Sequence, residues 1–404
     1  MSSLFQDSEI APLEEVVIHE PGPEVEQMTP ETARELLYND IVPGEVVRRE
    51  HRLFRDLLAR YTSVVELRDL LTKALEKDEG RAFVEGKLSG LIPEVTLRKE
   101  SAPELAADLI EGIPTVPRSF AEYLSRRPYD LPPLPNLYFM RDSAFVFRDT
   151  LFVGSMTHAV RQGETVLTEA AIRYGRSEPP RRVVELSQTV EGGDIVILSP
   201  TLLVAGISER SSAAGLDHLA SEAAIAAGEP VRVIGVVLPH RRSTIHLDMV
   251  FTQIDHDLAL VHARSVDNAT VVSLTSSPSG SRELREELSL SAALEAAGKP
   301  TEFIPCGGED PVSEAREQWL AAANTFALAP GAVVTFEANS ATNGRLEEAG
   351  FRKLLVGSDE LPPMPLTGRY AFALPGVDLA RGGGGPRCMT LPIRRSAGRS
   401  VVVG

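Results

Sequence analysis

From residue 142 onward the hydrophobic and polar positions repeat one order: a polar residue, an apolar strand, a tight turn, a second apolar strand and then a helix. Four copies of this order can be read. They predict first strands at 143–147, 195–198 and 250–254, second strands at 151–154, 202–207 and 258–263, and a fourth hairpin after Asn324 that turns at Pro330-Gly331. Helices are predicted over about 161–174, after an N-cap at Ser211 or Ser212, and over 340–349, where Gly350 ends the helix.

The two ends of the chain carry the parts of one further copy. Leu13 to Ile18, followed by Pro21-Gly22, has the pattern of a strand and a turn, and a last apolar stretch covers 388–393. If the termini meet, these segments supply the remaining unit. The pattern as a whole indicates an α/β fold built from repeated units.

A helical pattern replaces this order over residues 46–127. Apolar residues recur there at helical spacing in two runs, one at 53, 57 and 58 and one at 67, 70, 71, 74 and 75. The proline-rich segment 128–135 closes the stretch as a rigid connector. We therefore predict a single catalytic domain over 1–404 with a helical insertion at 46–127.

Three copies of the repeat begin at an aspartate: Asp142, Asp194 and Asp248. Equivalent positions of units arranged around one axis lie at equivalent distances from that axis, so the three carboxylates are expected to converge. Acidic residues also commonly cap hairpins or face solvent, and that alternative stays open for each of them.

Composition narrows the class of protein. The net charge of −16, from 57 Asp+Glu against 41 Lys+Arg, gives no basic surface for nucleic acid or for an anionic membrane, and it suits a small cationic substrate better. The first fifteen residues do not resemble a signal peptide, and no apolar run reaches membrane-spanning length. With only Cys306 and Cys388, both a disulfide framework and a cysteine-based zinc site lack ligands. We expect a soluble cytoplasmic protein without a metal.

Four separated motifs carry the candidate chemistry: Asn136 to Asp142, Glu191-Gly192-Gly193-Asp194, His246-Leu247-Asp248, and Arg381 to Met389 with four consecutive glycines. Together they resemble the arginine deiminases, within the pentein superfamily of guanidine-modifying enzymes. The resemblance extends to 36–41, to Glu50-His51, to 206–210 and to 316–319 followed by Asn324-Thr325. It implies a five-bladed ββαβ pseudo-symmetric propeller.

A guanidinium is planar, delocalised and protonated, so it is a poor electrophile and a good partner for carboxylates. The resemblance implies that Asp142 and Asp248 bind its N–H groups. It also implies that the thiolate of Cys388 attacks the central carbon and forms a covalent S-alkylthiouronium intermediate. His246 would be the general acid and base, with Glu191 orienting it. An isolated His-x-Asp is more often structural.

A lone cysteine in a cytosolic protein is usually a buried apolar residue, and this is the interpretation for Cys306. Cys388 follows a run of four glycines, a proline and Arg387, which would make a mobile loop that delivers a thiol to a substrate. The run matches neither a dinucleotide-binding fingerprint nor a P-loop, so no nucleotide cofactor is predicted.

The other end of an amino-acid substrate needs its own contacts. The resemblance assigns its carboxylate to Arg161, Arg210 and Asn136, and the aliphatic part to Phe139. Asp194 would join the guanidinium-binding carboxylates or hold the substrate's ammonium group. The family usually has arginine, sometimes asparagine, at the position of Gly383, so the substrate's identity depends on this departure.

The sequence therefore predicts an arginine deiminase that converts L-arginine and water into L-citrulline and ammonia without a cofactor. Two alternatives stay open: a related hydrolase or amidinotransferase acting on another guanidino compound, and a non-catalytic arginine-binding relative. No nucleic acid or membrane partner is expected. The oligomeric state is left open, and a homo-oligomer is compatible with the sequence.

Overall fold

The computed structural model of the chain describes residues 4–38, 40–89, 100–125 and 129–397. Asn39 of one quoted motif, Pro128 of the proline-rich connector, and 90–99 and 126–127 of the predicted insertion lie outside the described residues. The strands, in chain order, are β1 (Leu13–Ile18), β2 (Ser63–Glu66), β3 (Ile113–Pro114), β4 (Tyr129–Leu131), β5 (Ala144–Phe147), β6 (Thr150–Val153), β7 (Arg182–Glu185), β8 (Ile195–Ser199), β9 (Leu202–Ile207), β10 (Val231–Val237), β11 (Phe251–Gln253), β12 (Leu258–Val261), β13 (Thr270–Ser276), β14 (Arg282–Glu287), β15 (Glu302–Pro305), β16 (Phe326–Ala329), β17 (Ala332–Phe336), β18 (Arg352–Leu355), β19 (Tyr370–Leu374) and β20 (Leu391–Arg395).

The helices, in chain order, are α1 (Pro23–Glu26), α2 (Gly44–Tyr61), α3 (Leu67–Leu75), α4 (Asp78–Leu88), α5 (Ala102–Glu111), α6 (Phe120–Ser125), α7 (Met140–Ser143), α8 (Gln162–Tyr174), α9 (Ala213–Ala227), α10 (Ala263–Asp267), α11 (Leu290–Ala296), α12 (Pro311–Trp319), α13 (Ser340–Glu348) and α14 (Val377–Arg381). Short 3₁₀ turns cover Ala159–Arg161, Gly192–Asp194, Arg242–Thr244 and Leu247–Met249. No helix in the described part of the chain is long and apolar enough to cross a membrane.

Four sheets in the second part of the chain share one arrangement of strands. In each, an antiparallel hairpin precedes a strand that pairs in parallel with the second strand of the hairpin, and at least one helix lies between the two in the chain. Strands β13 and β14 also intervene before β15, and β18 intervenes before β19. The sheet orders are β5-β6-β7, β14-β13-β10-β9-β8, β11-β12-β15 and β16-β17-β19-β18. These sheets confirm the repeated order of strand, turn, strand and helix that the polar pattern predicts.

The chain termini meet in a fifth sheet with the order β2-β1-β20. Val17 of β1 lies opposite Leu391 of β20 in an antiparallel pair, and β1 pairs in parallel with β2. Helix α2 joins β1 to β2, so this unit has the same order as the other four once β20 is counted as its first strand. The predicted fifth copy is therefore present.

The repeat predicted most elements within a few residues. Strand β9 has the predicted bounds, and the hydroxyl of Ser212 caps α9 by accepting from the N–H of Gly215 at 3.1 Å. The third copy differs, because its second strand ends at Val261 and α10 begins at Ala263. The hairpin of β13 and β14, which extends the sheet of β10, is not part of the predicted repeat.

The predicted insertion, 46–127, begins inside α2, which belongs to the terminal sheet. Beyond β2 the chain forms α3 to α6 and then the small hairpin of β3 and β4. Leu71 of α3 and Leu105 of α5 pack in one apolar cluster with Leu167 of α8. The helical segment is thus anchored on the β5-β6-β7 unit by hydrophobic burial.

The first strand of each unit is preceded by a buried residue: Asp142, Asp194, Asp248, Asn324 and Cys388. Side chains and backbone groups from these five positions contact one another or each other's neighbours. The main chain N–H of Arg141, for example, donates to the carbonyl of Cys388 at 3.0 Å. The five chain segments therefore enclose one site.

Candidate active site

His246 lies between two carboxylates from neighbouring units. Its Nε2 is 2.9 Å from Oε2 of Glu191, and its Nδ1 is 3.5 Å from Oδ1 of Asp142. Burial favours the neutral imidazole, but the charge of Asp142 and the hydrogen bond to Glu191 outweigh it and raise the pKa of His246 to about 9. His246 is therefore a protonated donor at neutral pH, as a general acid requires.

Glu191 is the anchor of this histidine. Burial alone would raise the pKa of Glu191, but the hydrogen bond and charge of His246, together with Arg210, lower it to about 2. The Nη1 atom of Arg210 is 3.2 Å from the same Oε2 atom that faces His246. Glu191 is therefore ionised at neutral pH and contacts the imidazole directly; its role in orienting His246 stays a prediction.

The local backbone explains the glycines in this motif. A Cβ atom on Gly193 would lie 2.7 Å from Nδ1 of His246 and 2.8 Å from Oδ1 of Asp142. A Cβ on Gly192 would lie 2.1 Å from the carbonyl of Arg141. The two glycines are needed because the units approach closely here.

Asp142, in the short helix α7, is held from the other side. Its Oδ2 accepts from Nη1 of Arg161 at 2.7 Å, and the rest of that guanidinium donates to Glu164 at 2.7–3.1 Å. Oδ1 of Asp142 is buried and has no hydrogen-bond partner among the described residues. This oxygen is an available acceptor for a cationic N–H group.

Cys388 is held by groups from two other units. Its Sγ accepts from Nδ2 of Asn324 at 3.1 Å, and its backbone N–H donates to Oδ1 of the same amide at 3.0 Å. Sγ is also 3.7 Å from Oδ2 of Asp248. Burial, then the charges of Asp248 and Asp142, raise the pKa of the Cys388 thiol well above its usual range. These surroundings favour the protonated thiol.

Asp248 connects the sulphur to a buried ion-pair network. Its Oδ2 accepts from Nη1 of Arg387 at 2.7 Å, and Nε of Arg387 donates to Glu9 at 2.9 Å. The charges of Arg387 and Arg141 lower the pKa of Glu9 to about 2 in spite of its burial. All these groups are buried, so the network fixes Asp248 beside the sulphur.

Sequence reasoning missed the roles of Asn324, Arg387 and Glu9. Asn324 carried a signal, because it occupies in its copy the position that aspartate occupies in three others. In the sequence, Arg387 stands out only as the residue before Cys388. Glu9 gave no signal, because it precedes the first strand and reaches the site only through the fold.

The glycine run before Cys388 packs closely against the rest of the site. A Cβ on Gly382 would lie 2.1 Å from the hydroxyl of Tyr138, and one on Gly384 would lie 2.5 Å from the ring of Phe139. Gly383 has a φ of +99°, in the region that favours glycine. The glycines are thus required for space and conformation; the predicted mobility of the loop stays a prediction.

The predicted residues surround a small pocket. Its volume of about 20 Å³ has room for about one water molecule. Most of the predicted site residues line it: Asn136, Phe139, Asp142, Arg161, Arg210, His246 and Cys388. Leu37, Arg242 and Ile245 line it as well. Nδ2 of Asn136 donates to the carbonyl of Leu36 at 2.8 Å. An amino-acid substrate requires this side of the pocket to open.

Asp194 lies behind the pocket and is not among its lining residues. Its Oδ1 accepts from the N–H of Leu247 at 2.8 Å and its Oδ2 from the hydroxyl of Ser208 at 2.6 Å. Burial raises the pKa of Asp194 to about 6. In this structure the carboxylate holds the segment that carries His246, and its predicted contact with substrate stays a prediction.

Asp142, Glu191 and His246 are close enough to share a metal ion, with one ligand atom from each lying within 4.8 Å of the others. The same two carboxylates already accept from Arg161 and Arg210. A metal ion needs an unprotonated histidine nitrogen, whereas both ring nitrogens of His246 face carboxylates that favour the imidazolium. The arrangement fits an ion-paired histidine better than a metal centre.

A family model for arginine deiminase matches residues 105–395 of the chain. Arginine deiminase of Limosilactobacillus reuteri is 33% identical over 422 residues, with 98% of each chain covered. That of Listeria monocytogenes is 31% identical, with 96% of this chain and 97% of the relative covered.

Among solved structures, the N-terminal domain of a cyanobacterial arginine dihydrolase superposes with a TM-score of 0.55 at 13% identity, covering 94% of this chain and 97% of that one. An inosamine-phosphate amidinotransferase of Streptomyces griseus gives a TM-score of 0.55 at 13% identity, with 98% of each covered. These two structures share the fold of this chain. On the family model and the sequence relatives, this chain belongs to the arginine deiminase family.

Proposed function

We propose that this protein is an arginine deiminase, which hydrolyses L-arginine to L-citrulline and ammonia through a covalent adduct on Cys388. Its membership of the family supports this activity. The observation that carries the proposal is Oδ1 of Asp142, a buried carboxylate oxygen without a hydrogen-bond partner among the described residues, on a side chain that lines the same pocket as Cys388. A buried acceptor of this kind beside a nucleophile suits a guanidinium.

Binding of the guanidinium activates the nucleophile. Its N–H groups would donate to Asp142 and to Asp248, the two carboxylates whose charges raise the pKa of the Cys388 thiol. A bound cation offsets both charges, so the thiol loses its proton to solvent water more readily when substrate is present. The thiolate then attacks the guanidinium carbon and forms a tetrahedral adduct.

His246 serves both later steps. The imidazolium gives its proton to the departing nitrogen, so that ammonia leaves and an S-alkylthiouronium remains on Cys388. The neutral imidazole then takes a proton from water, whose oxygen attacks the same carbon. Collapse of this second adduct breaks the carbon–sulphur bond, the hydroxyl proton passes to the departing sulphur, and the ureido product is released with Cys388 restored as a thiol. Glu191 holds the imidazole throughout, and Asn324 donates to the sulphur that leaves.

The opposite end of the substrate would be bound by Arg161, Arg210 and Asn136, with Phe139 against its aliphatic part. All four side chains line the pocket. Arg161, Arg210 and Asn136 now contact other protein groups, and the substrate would replace some of these contacts. Asp194 would act through the segment it holds, or contact the ammonium group if that segment moves.

For the whole chain, we propose one catalytic domain whose five ββαβ units surround one axis as a five-bladed propeller. The helical insertion predicted at 46–127 would then consist of α3 to α6, which lie between the terminal unit and the β5-β6-β7 unit. The meeting of the five strand starts at one site supports this arrangement. The free thiols Cys306 and Cys388 support a reducing, cytoplasmic location. We also propose L-arginine as the small-molecule partner.

Incubation with L-arginine in ¹⁸O-labelled water tests the activity. We expect citrulline and ammonia in equal amounts, with one ¹⁸O in the ureido group. Cys388→Ala should give no citrulline, while the matched variant Cys306→Ala should stay active. An equally active Cys388→Ala protein would refute the nucleophile. Binding of arginine without ammonia release would identify a non-catalytic relative, and transfer of the amidino group to an added amine would identify an amidinotransferase.

A further inference from the structure

We propose that Arg242, at the mouth of the pocket, joins Arg161 and Arg210 in binding the carboxylate of the substrate and so selects an amino acid over other guanidino compounds. This inference rests on the proposed function and adds a residue that neither the motifs nor the family resemblance assigned. It starts from the charges of the arginines that line the pocket: Arg161, Arg210 and Arg242.

Arg161 and Arg210 are already neutralised by the protein. Arg161 is ion-paired with Asp142 and Glu164, and Arg210 with Glu191. Arg242 forms no ion pair with any carboxylate in the part of the chain that the structure describes; its Nη2 donates to the backbone carbonyl of Leu37.

The position of Arg242 therefore leaves a positive charge without an anion. Burial, then the charges of Arg210 and Arg161, lower the pKa of Arg242 to about 10, so its guanidinium is still protonated at neutral pH. Glu209 acts on it only from beyond ion-pair distance. A buried charge gains most from a partner that arrives with the opposite charge, and a carboxylate binds a guanidinium with two parallel hydrogen bonds.

The exposure of the lining residues distinguishes the two ends of the pocket, a buried end beside Cys388 and a partly exposed mouth. Asp142, His246 and Cys388 are buried, whereas Leu37, Arg242 and Gly383 are partly exposed. A substrate whose guanidinium binds Asp142 and Asp248 directs its other end toward the mouth. In L-arginine that end carries the carboxylate, which brings it toward Arg242.

Gly383 gives Arg242 the space for this position. A Cβ on Gly383 would lie 3.0 Å from Nη2 of Arg242, and the nearest atoms to that Cβ all belong to the Arg242 guanidinium. The guanidinium of Arg242 can therefore occupy this position because residue 383 has no side chain. The family usually has an arginine at the position of Gly383. In this chain the positive charge at the mouth comes instead from Arg242, in the segment that carries His246.

The contact with Leu37 is the one that substrate replaces. Leu37 has a φ of +66°, which is unfavourable for a residue with a branched side chain. Its carbonyl and that of Leu36 hold Arg242 and Asn136 across the mouth. A carboxylate is a stronger acceptor than a carbonyl, so the substrate carboxylate would replace the Leu37 carbonyl as the partner of Arg242. The released segment would then move and enlarge the pocket, which is too small for the substrate in this structure.

Kinetics with L-arginine and agmatine, which carries the same guanidinium without a carboxylate, test the inference. We expect Arg242→Gln to raise KM for L-arginine about 10- to 100-fold with kcat little changed, while agmatine, measured as a substrate or as a competitive inhibitor, is unaffected. Arg242→Lys should recover part of the loss. Arg241→Gln, at the exposed neighbouring position, is the matched control and should behave like the wild type.

Equal changes for both compounds would show that Arg242 only holds the Leu37 segment, and would overturn the inference. If the wild type makes no citrulline, the proposed function fails separately. The same comparison is then made by calorimetry in the Cys388→Ala protein. Weaker binding of L-arginine but not of agmatine upon Arg242→Gln supports the inference there, and unchanged binding of L-arginine, or none in the parent protein, refutes it.

Discussion

Cys388 and Cys306 are both free thiols buried to 4% and 1% exposure, yet their surroundings differ. Cys306 packs in an apolar cluster with Ile304 and Leu346, and its sulphur reaches one amide oxygen, that of Gln318, at 3.6 Å. Burial, then the charges of two glutamates, raises its pKa to about 12. Cys388 lies between an amide donor and a carboxylate in a pocket.

The difference shows that burial alone does not decide the reactivity of a thiol. Both thiols have raised pKa values because each is desolvated beside negative charge. Cys388 lines a pocket together with Asp142, one of the two carboxylates whose charges raise its pKa. Under the proposed function a bound guanidinium offsets this charge and favours the thiolate, and three experiments probe the contrast between the two cysteines.

The largest effect is expected for Asp248→Asn. Removal of the carboxylate lowers the pKa of the Cys388 thiol, and the remaining charge of Arg387 lowers it further, so iodoacetamide should alkylate Cys388 faster at pH 7 to 8. Turnover of L-arginine should nevertheless fall by about 10²- to 10³-fold because a guanidinium-binding group is lost. Mass spectrometry after timed alkylation measures both cysteines, and Cys306 should not change.

Asp257→Asn, at an exposed position, is the control for this variant. Slower alkylation of Cys388 in a protein that keeps its circular dichroism spectrum would show that Asp248 does not suppress the thiolate.

A smaller effect is expected for Glu191→Gln. This variant tests His246, the proposed proton carrier, which lines the same pocket as Cys388. His246 has its pKa raised from 6.5 to about 9, so the stability gained from its ion pair is fully present below pH 6.5 and is lost as the pH rises through about 9. Without the Glu191 charge the pKa of His246 falls. The alkaline limb of the pH profile should move to lower pH, and kcat should drop by about 10- to 100-fold.

Glu178→Gln, on the surface, should leave the profile unchanged. An alkaline limb that keeps its position in Glu191→Gln would assign that limb to a group other than His246.

The smallest effect is expected for Cys306→Ala. Loss of a small buried side chain should lower the free energy of unfolding by about 1 to 2 kcal/mol, measured by urea denaturation, with kcat and KM unchanged. A large loss of activity with normal stability would place Cys306 in the catalytic machinery and remove the contrast with Cys388.

Part of the site could be predicted because its motifs are local. Glu191 and Gly193 lie in one turn, and His246 and Asp248 lie two residues apart, so their proximity follows from the sequence alone. The contacts of Cys388 with Asn324 and of Arg387 with Glu9 join residues 64 and 378 positions apart. No local pattern encodes such pairs, because the fold brings them together only after every unit has formed.

Periodic hydrophobic positions and short motifs in the sequence were enough to predict the repeated unit, the family and Cys388 as the nucleophile. Only the folded structure shows which arginines are ion-paired, why Gly383 is compatible with the guanidinium of Arg242 opposite it, and why the pKa of the Cys388 thiol is raised. These properties are sums of Coulomb energies and desolvation over distances of a few ångströms. They depend on atoms from units far apart in the chain, and a linear pattern contains no such distances.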